Sequence, residues 1–185
     1  MSRRPTIPQR RRVFLGCEGE SERSYGALLN RLQESNPRPV HIDPVLLGGG
    51  EPLFLLKTAE TRMIQRIKQR GDYAVKAVLL DADRLGESED RDREARSIAS
   101  RLGLLLIWQT PIHEALLLRH LEGCASLRPK KPDAMGELKR RWPEYSKGMT
   151  AMQLARRIDR PGINRAAAAE EPLRRFLGLI GFGEA

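Results

Sequence analysis

Four carboxylates stand where apolar runs stop: Glu18, Asp81, Asp83 and Glu114. The run from Val13 to Cys17 ends abruptly at Glu18-Gly19, with Glu22 a short step further on. The run from Ala77 to Leu80 runs straight into Asp81-Ala82-Asp83. Open α/β sheets put their chemistry at strand ends. Like charges brought close repel unless a proton or cation sits between them, so this set points to a hard divalent metal held by oxygen ligands, Mg²⁺ or Mn²⁺. Metal-assisted phosphate chemistry is the first expectation.

Glu114 bears on this through its helix. On a wheel of 100° per residue over 111–122, Leu116, Leu117, Leu118 and Leu121 form a broad apolar arc, with Arg119 and Glu122 opposite. Glu114 falls inside the arc, where a carboxylate is costly unless paired or metal-bound. It also lies near the helix start, where the dipole favours negative charge. His113 and His120 share one side of the same helix, as packed or hydrogen-bonded histidines would.

The elements that position these residues alternate. Strand one, Val13 to Cys17, leads to a helix from about Ser21, with Tyr25, Leu28, Leu29 and Leu32 on one face and Glu22 on the same side. Asn36-Pro37-Arg38-Pro39 breaks the helix, and Val40 to Leu47, with Pro44 inside it, reads as a strand near an edge. Gly48-Gly49-Gly50 could cradle a phosphate, but lacks the spaced Gly-Lys-Ser/Thr of a nucleotide loop and reads as a flexible connection. Pro52 opens a helix with Leu53, Leu56, Met63, Ile64 and Ile67 inward, closed at Gly71. Ala74 to Leu80 is the third strand, Asp90 to Leu102 a charged helix ended by Gly103, and Leu104 to Trp108 a fourth strand. Thr110-Pro111 is expected to cap and start a helix through Gly123. Continuous apolar strands alternating with helices imply a mainly parallel α/β sheet of about four strands, covered on both faces. Helical segments near 133–141, 149–159 and 165–178 follow without a clear strand.

The 185 residues allow one core. The domain reading is a basic flexible arm at 1–12, an α/β domain at 13–124 and a basic helical appendage at 125–185. Net charge is +9, distributed as +5, −2 and +6 over those three stretches. Basic flanks around an acidic centre suit an enzyme that holds cations at its site and grips a nucleic acid around it. The expected grip is Arg10, Arg11 and Arg12 in the arm, and Lys139, Arg140, Arg141, Arg156 and Arg157 in the appendage. No apolar stretch reaches the roughly 20 residues of a membrane span, and no apolar segment of signal-peptide type follows Met1, so a cytoplasmic protein with no membrane partner is expected. Cys17 and Cys124 lack metal-ligand spacing, and neither a disulfide nor a zinc role is expected.

Three segments together resemble the RloB-like family: Cys17 to Tyr25 (CEGESERSY), Asp81-Ala82-Asp83, and Thr110 to His120 (TPIHEALLLRH). That family in turn resembles the Toprim superfamily of topoisomerases, primases and overcoming-lysogenization-defect nucleases. On this resemblance, which spans roughly residues 13–160, Glu18 and Glu22 fill the first motif, Asp81 and Asp83 the second, and Glu114 and His120 the ends of the third. Tyr145-Ser146-Lys147 is similar to a further Y-x-K element. His113 stands where the family tends to have Phe, and Leu116 where it tends to have Trp.

The resemblance implies a Toprim-like, Rossmann-like domain and a role in bacterial phage defence, with a defence-locus protein as a further partner. Residues and resemblance together lead to a Mg²⁺- or Mn²⁺-dependent nuclease or phosphotransfer enzyme. Asp81 and Asp83 would hold the metal, and Glu18 would act as ligand or general acid/base. Glu22 and Glu114 would complete the acidic pocket, and His120 and Lys147 would orient the phosphate. The competing expectation is a catalytically silent nucleic-acid-binding subunit of a defence complex.

Overall fold

The computed structural model describes residues 10–34, 36 and 39–183. The expected arm over residues 1–9, and Pro37 and Arg38 of the expected helix break, lie outside the described residues. The rest is a Rossmann-like α/β fold. Strands β1 (Arg12–Cys17), β2 (His41–Leu46), β3 (Val75–Asp81) and β4 (Leu105–Gln109) form one sheet in the order β2-β1-β3-β4, every neighbouring pair parallel. Between them run α1 (Glu20–Leu32), α2 (Pro52–Arg70) and α3 (Glu89–Leu102). After β4 come α4 (His113–His120), α5 (Lys131–Arg141), α6 (Ala151–Leu154), α7 (Arg160–Ala169) and α8 (Glu171–Leu179).

Alternation along the strands divides the core between two faces. Val13, Leu15 and Cys17 of β1, with Val75, Ala77 and Leu79 of β3, join α1, α4 and the helices beyond α4 in one cluster. Phe14, Val78 and Leu80 turn the other way, onto α2 and α3. The C-terminal helices do not stand apart from the sheet, because Leu138, Ile158, Ile163, Leu173 and Phe176 belong to the same cluster as Val13 and Leu15.

Strand β2 is an edge, as Pro44 implies. His41 and Leu47 donate their amides to the carbonyls of Arg11 and Cys17, so odd-numbered amides face β1 and even-numbered ones face outward. Pro44 therefore removes a donor from the open edge, and the outward amide of Ile42 is taken by the Asn30 side chain at 2.8 Å. An edge with fewer free donors is less open to pairing with another chain.

Several expectations shift. The helix after β4 begins at His113 and not at Thr110, since the Pro111 and Gln109 carbonyls are used by the Ala82 amide, which carries the chain past the strand end. It stops at His120. The helix expected over 149–159 shortens to α6, and that over 165–178 resolves into α7 and α8. Asp159 caps α7 ahead of Pro161, and Pro172 opens α8. Ile64 is 42% exposed, while Leu55 takes an inward place on α2. Arg12 is not part of a free arm. Its Nη1 donates to the carbonyls of Arg70 and Gly71 at 2.7 and 2.6 Å, and its guanidinium lies over the Tyr73 ring, so it closes the C-terminus of α2.

Helix α1 approaches the sheet closely at Gly26, where a Cβ would stand 2.9 Å from Leu15 Cδ2 and 3.0 Å from Pro44 Cβ. Alanine normally gains about 1 kcal/mol over glycine inside a helix, whereas overpacking costs about 1–3 kcal/mol. Pro44 is a rigid ring in a paired strand, so the packing term should win. Gly26→Ala is expected to lower the unfolding free energy by about 1 kcal/mol in a denaturant titration; a stabilised variant would show that α1 can move away at no cost.

Candidate functional site

The carboxylates meet at the C-terminal edge of the sheet. Glu18 follows β1, Asp81 ends β3, Glu22 lies in the first turn of α1 and Glu114 in the first turn of α4. All four line one cavity of about 670 Å³, together with His113, Lys147 and the Gly48-Gly49 loop. The crowding shows in their protonation. Burial, followed by the charges of Glu22, Glu18, Asp83 and Glu114, pushes the Asp81 carboxyl up to about 8. Burial also raises Glu18, against the opposing hydrogen bond from the Asp81 amide.

Local structure fixes each group. Glu18 Oε2 accepts the Asp81 amide at 3.1 Å, tying the ends of β1 and β3. Glu22 reaches back to the Gly19 amide at 3.1 Å, so one of its oxygens closes the N-terminus of α1 while the other faces Gln109. The amides of Gly48 and Gly49 both donate to the Glu18 carbonyl, at 3.2 and 2.9 Å. With those donors used, the glycine run holds the end of β1 rather than offering a phosphate cradle, and its positive φ values explain why glycines stand there.

Gln109 is the residue that sequence reasoning missed. It ends β4 directly opposite Asp81, and its Nε2 donates to Asp81 Oδ1 at 3.2 Å and Glu22 Oε1 at 3.4 Å. Its Oε1 meets His113 Nδ1. Because the amide nitrogen is committed to carboxylates, the amide oxygen must accept, and His113 Nδ1 carries the proton. His113 Nε2 is then left as a lone pair, buried without a hydrogen-bond partner among the described residues. The strand-end rule that singles out Glu18 and Asp81 applies equally to Gln109, and is the signal that could have found it.

Other expected members are placed differently. Asp83 is near enough to raise Glu18 and Asp81, but its carboxylate is paired with Lys131 and is not among the cavity-lining groups. Lys147 lies in the cavity, 3.4 Å from Glu114. Tyr145 sits by Ser21, and burial and the nearby Glu114 and Glu22 push its hydroxyl above the usual range. His120 does not reach the carboxylates. Its Nδ1 meets the Leu116 carbonyl at 2.9 Å and its Nε2 the Tyr25 hydroxyl at 3.0 Å, and burial lowers it to about 4, so it is a neutral core residue. Arg119, expected opposite the apolar arc, is 0% exposed. It forms an ion pair with Glu170 at 2.8 Å and donates to the Thr110 and Leu127 carbonyls.

All-oxygen donors fit a hard cation in chemistry. In placement they do not close around one, since among the described residues no three His, Cys, Asp or Glu side chains form a group that could hold a metal ion. Of the expected nucleic-acid contacts, Arg10, Arg11, Lys139, Arg140, Arg141, Arg156 and Arg157 are exposed, and Arg140 is paired with Glu137. No described helix is long and apolar enough to cross a membrane. Comparisons of this chain with protein-family models, with curated proteins and with solved structures find no match.

A carboxyl at about 8 in the fold, against its ordinary 3.8, takes up a proton on folding between those pH values. Its contribution to stability is present at low pH and is lost as pH rises through about 8. In metal-free buffer, Asp81→Asn should therefore gain stability relative to the parent as pH rises from 5 to 9, on the order of 1 kcal/mol or more. Thermal unfolding of both proteins across that range measures it; parallel curves would show that Asp81 is not crowded.

Proposed function

We propose that this protein is a divalent-metal-dependent enzyme of phosphodiester hydrolysis or phosphotransfer on nucleic acid, working in the bacterial cytoplasm as part of phage defence. The observation that carries the chemistry is the gathering of Glu18, Glu22, Asp81 and Glu114 in one cavity, with Asp81 raised by burial and then by its neighbours' charge. The resemblance to the RloB-like family and the Toprim superfamily supports the biological setting and a partner protein from a defence locus. As placed, Glu18, Asp81 and Asp83 do not close around an ion; to hold Mg²⁺ or Mn²⁺ they would have to draw together, with Asp83 released from Lys131. The ion would then supply charge neutralisation and Lewis acidity at a phosphoryl oxygen.

The chain's own residues then divide the work. Gln109 keeps Asp81, Glu22 and His113 in register. Lys147, 70% exposed at its side chain, can turn from Glu114 towards an incoming phosphate. Glu18, half-buried and raised, is suited to move a proton at the scissile oxygen. One observation favours the silent-subunit reading: Lys131 on Asp83 and Lys147 on Glu114 give two carboxylates internal counter-charges that need no metal.

Cleavage assays on DNA and RNA with Mg²⁺ and Mn²⁺ separate the two. The intact protein should cut, and Asp81→Asn should lose about 10²-fold or more in rate while binding nucleic acid at least as well. Metal should raise the unfolding midpoint of the parent and not of Asp81→Asn. Absence of both cleavage and a metal-dependent midpoint in the parent would leave the binding subunit as the correct reading.

A further inference from the structure

The C-terminal end of α4 borders a second polar cavity, of about 380 Å³, lined by Arg141, Arg156, Arg157 and Arg165 with Glu122 and Asp159. None of the ion pairs among the described residues uses any of these four guanidinium groups. Asp159 is already engaged as the cap of α7, its Oδ1 accepting the Gly162 amide at 2.8 Å, and Glu122 is exposed.

The fold itself gathers the cations. Arg165 Nη1 donates to the carbonyl of His120, the last residue of α4, and Arg157 Nη2 donates at 3.5 Å to the carbonyl of Arg141, the last residue of α5. Helix C-termini carry partial negative charge and unpaired carbonyls, which hold guanidinium groups in place. Each guanidinium has five N–H donors, so one bond to a carbonyl leaves most of the fork free. Four guanidinium groups against two carboxylates leave the lining net positive, and a tetrahedral oxyanion that accepts several N–H donors relieves the remaining repulsion.

We propose that this cavity binds a phosphate group of a nucleic-acid strand, as a site distinct from the carboxylate cavity and independent of any catalysis there. Helix α4 spaces the two. Glu114 lines the first cavity and His120 the second, roughly 9 Å apart at 1.5 Å per residue. The exposed Lys139, on α5 with Arg141, adds positive charge to the same helix, whereas Arg140 is paired with Glu137.

The test compares Arg156→Glu/Arg157→Glu with Arg62→Glu/Arg96→Glu, an equal charge change at exposed positions of α2 and α3 on the other face of the sheet. Fluorescence anisotropy with short single-stranded DNA and RNA reads affinity against salt, and circular dichroism confirms that each variant is folded. The cavity variant should lose about tenfold or more in affinity, and its slope of log affinity against log salt should fall by about 1.4, two contacts at about 0.7 each. The control should lose less than about threefold. Inorganic phosphate should compete with the strand on the parent and lose that effect on the cavity variant. Equal losses in both variants would reduce the cavity to part of a general positive field. Thermal stabilisation by phosphate that is present in the parent and absent in the cavity variant, with strand affinity unchanged between them, would assign the cavity to free phosphate. Either result overturns the proposal.

Discussion

Helix α4 is buried on every side, and most of what is distinctive in this molecule follows from that constraint. Its leucines pack in the same cluster as β1 and β3, while α5 and α7 close over its other surface. A helix so enclosed has no solvated face on which to leave a charge. Arg119 must therefore find partners inside, and Glu170 and two loop carbonyls supply them. That arrangement ties the β4–α4 loop, the α4–α5 loop and the α7–α8 joint to one guanidinium. Breaking a buried pair typically costs about 3–5 kcal/mol, because the remaining charge is stranded. His120 obeys the same logic without a charge, staying neutral between a carbonyl and the Tyr25 hydroxyl.

The dipole of this helix also orders the electrostatics. Its N-terminus, where partial positive charge accumulates, faces the cavity lined by Glu18, Glu22, Asp81 and Glu114; its C-terminus, of opposite sign, abuts the arginine cavity. A chain of net charge +9 can therefore keep an acidic pocket among basic surroundings without the two signs collapsing onto each other. Lysines reach the edges of the acidic pocket, at Asp83 and Glu114, but leave Glu18, Glu22 and Asp81 to a neutral amide, Gln109, and to backbone donors. Neutral donors cannot cancel repulsion between carboxylates as a cation does. Burial first, and then the unrelieved charge of its neighbours, push the Asp81 carboxyl up to about 8.

The sequence by itself determined the strands, the parallel sheet and the strand ends. Continuous apolar runs of four to seven residues leave few alternatives to buried parallel strands, and Pro44 suits only an edge. Glu18, Asp81 and Glu114 were legible for the same reason: each interrupts a local apolar pattern, and a local pattern needs only neighbours in sequence to be read. The tertiary structure decided the partners. Arg119 looked solvated because a helical wheel describes one layer of packing and cannot register the second layer that α5 and α7 add. Arg12 looked like part of a free arm because its acceptors, the carbonyls of Arg70 and Gly71, lie nearly sixty residues away. Gln109 ends an apolar run as Glu18 and Asp81 do but carries no charge, and its bridge between Asp81, Glu22 and His113 emerges only once β3 and β4 lie in register. Asp83 and His120 were displaced from the expected site in the same way, one by Lys131 and the other by Tyr25. Hydrogen bonds and ion pairs between distant segments depend on angstrom-scale placement, which the pattern of residue types along a chain does not encode.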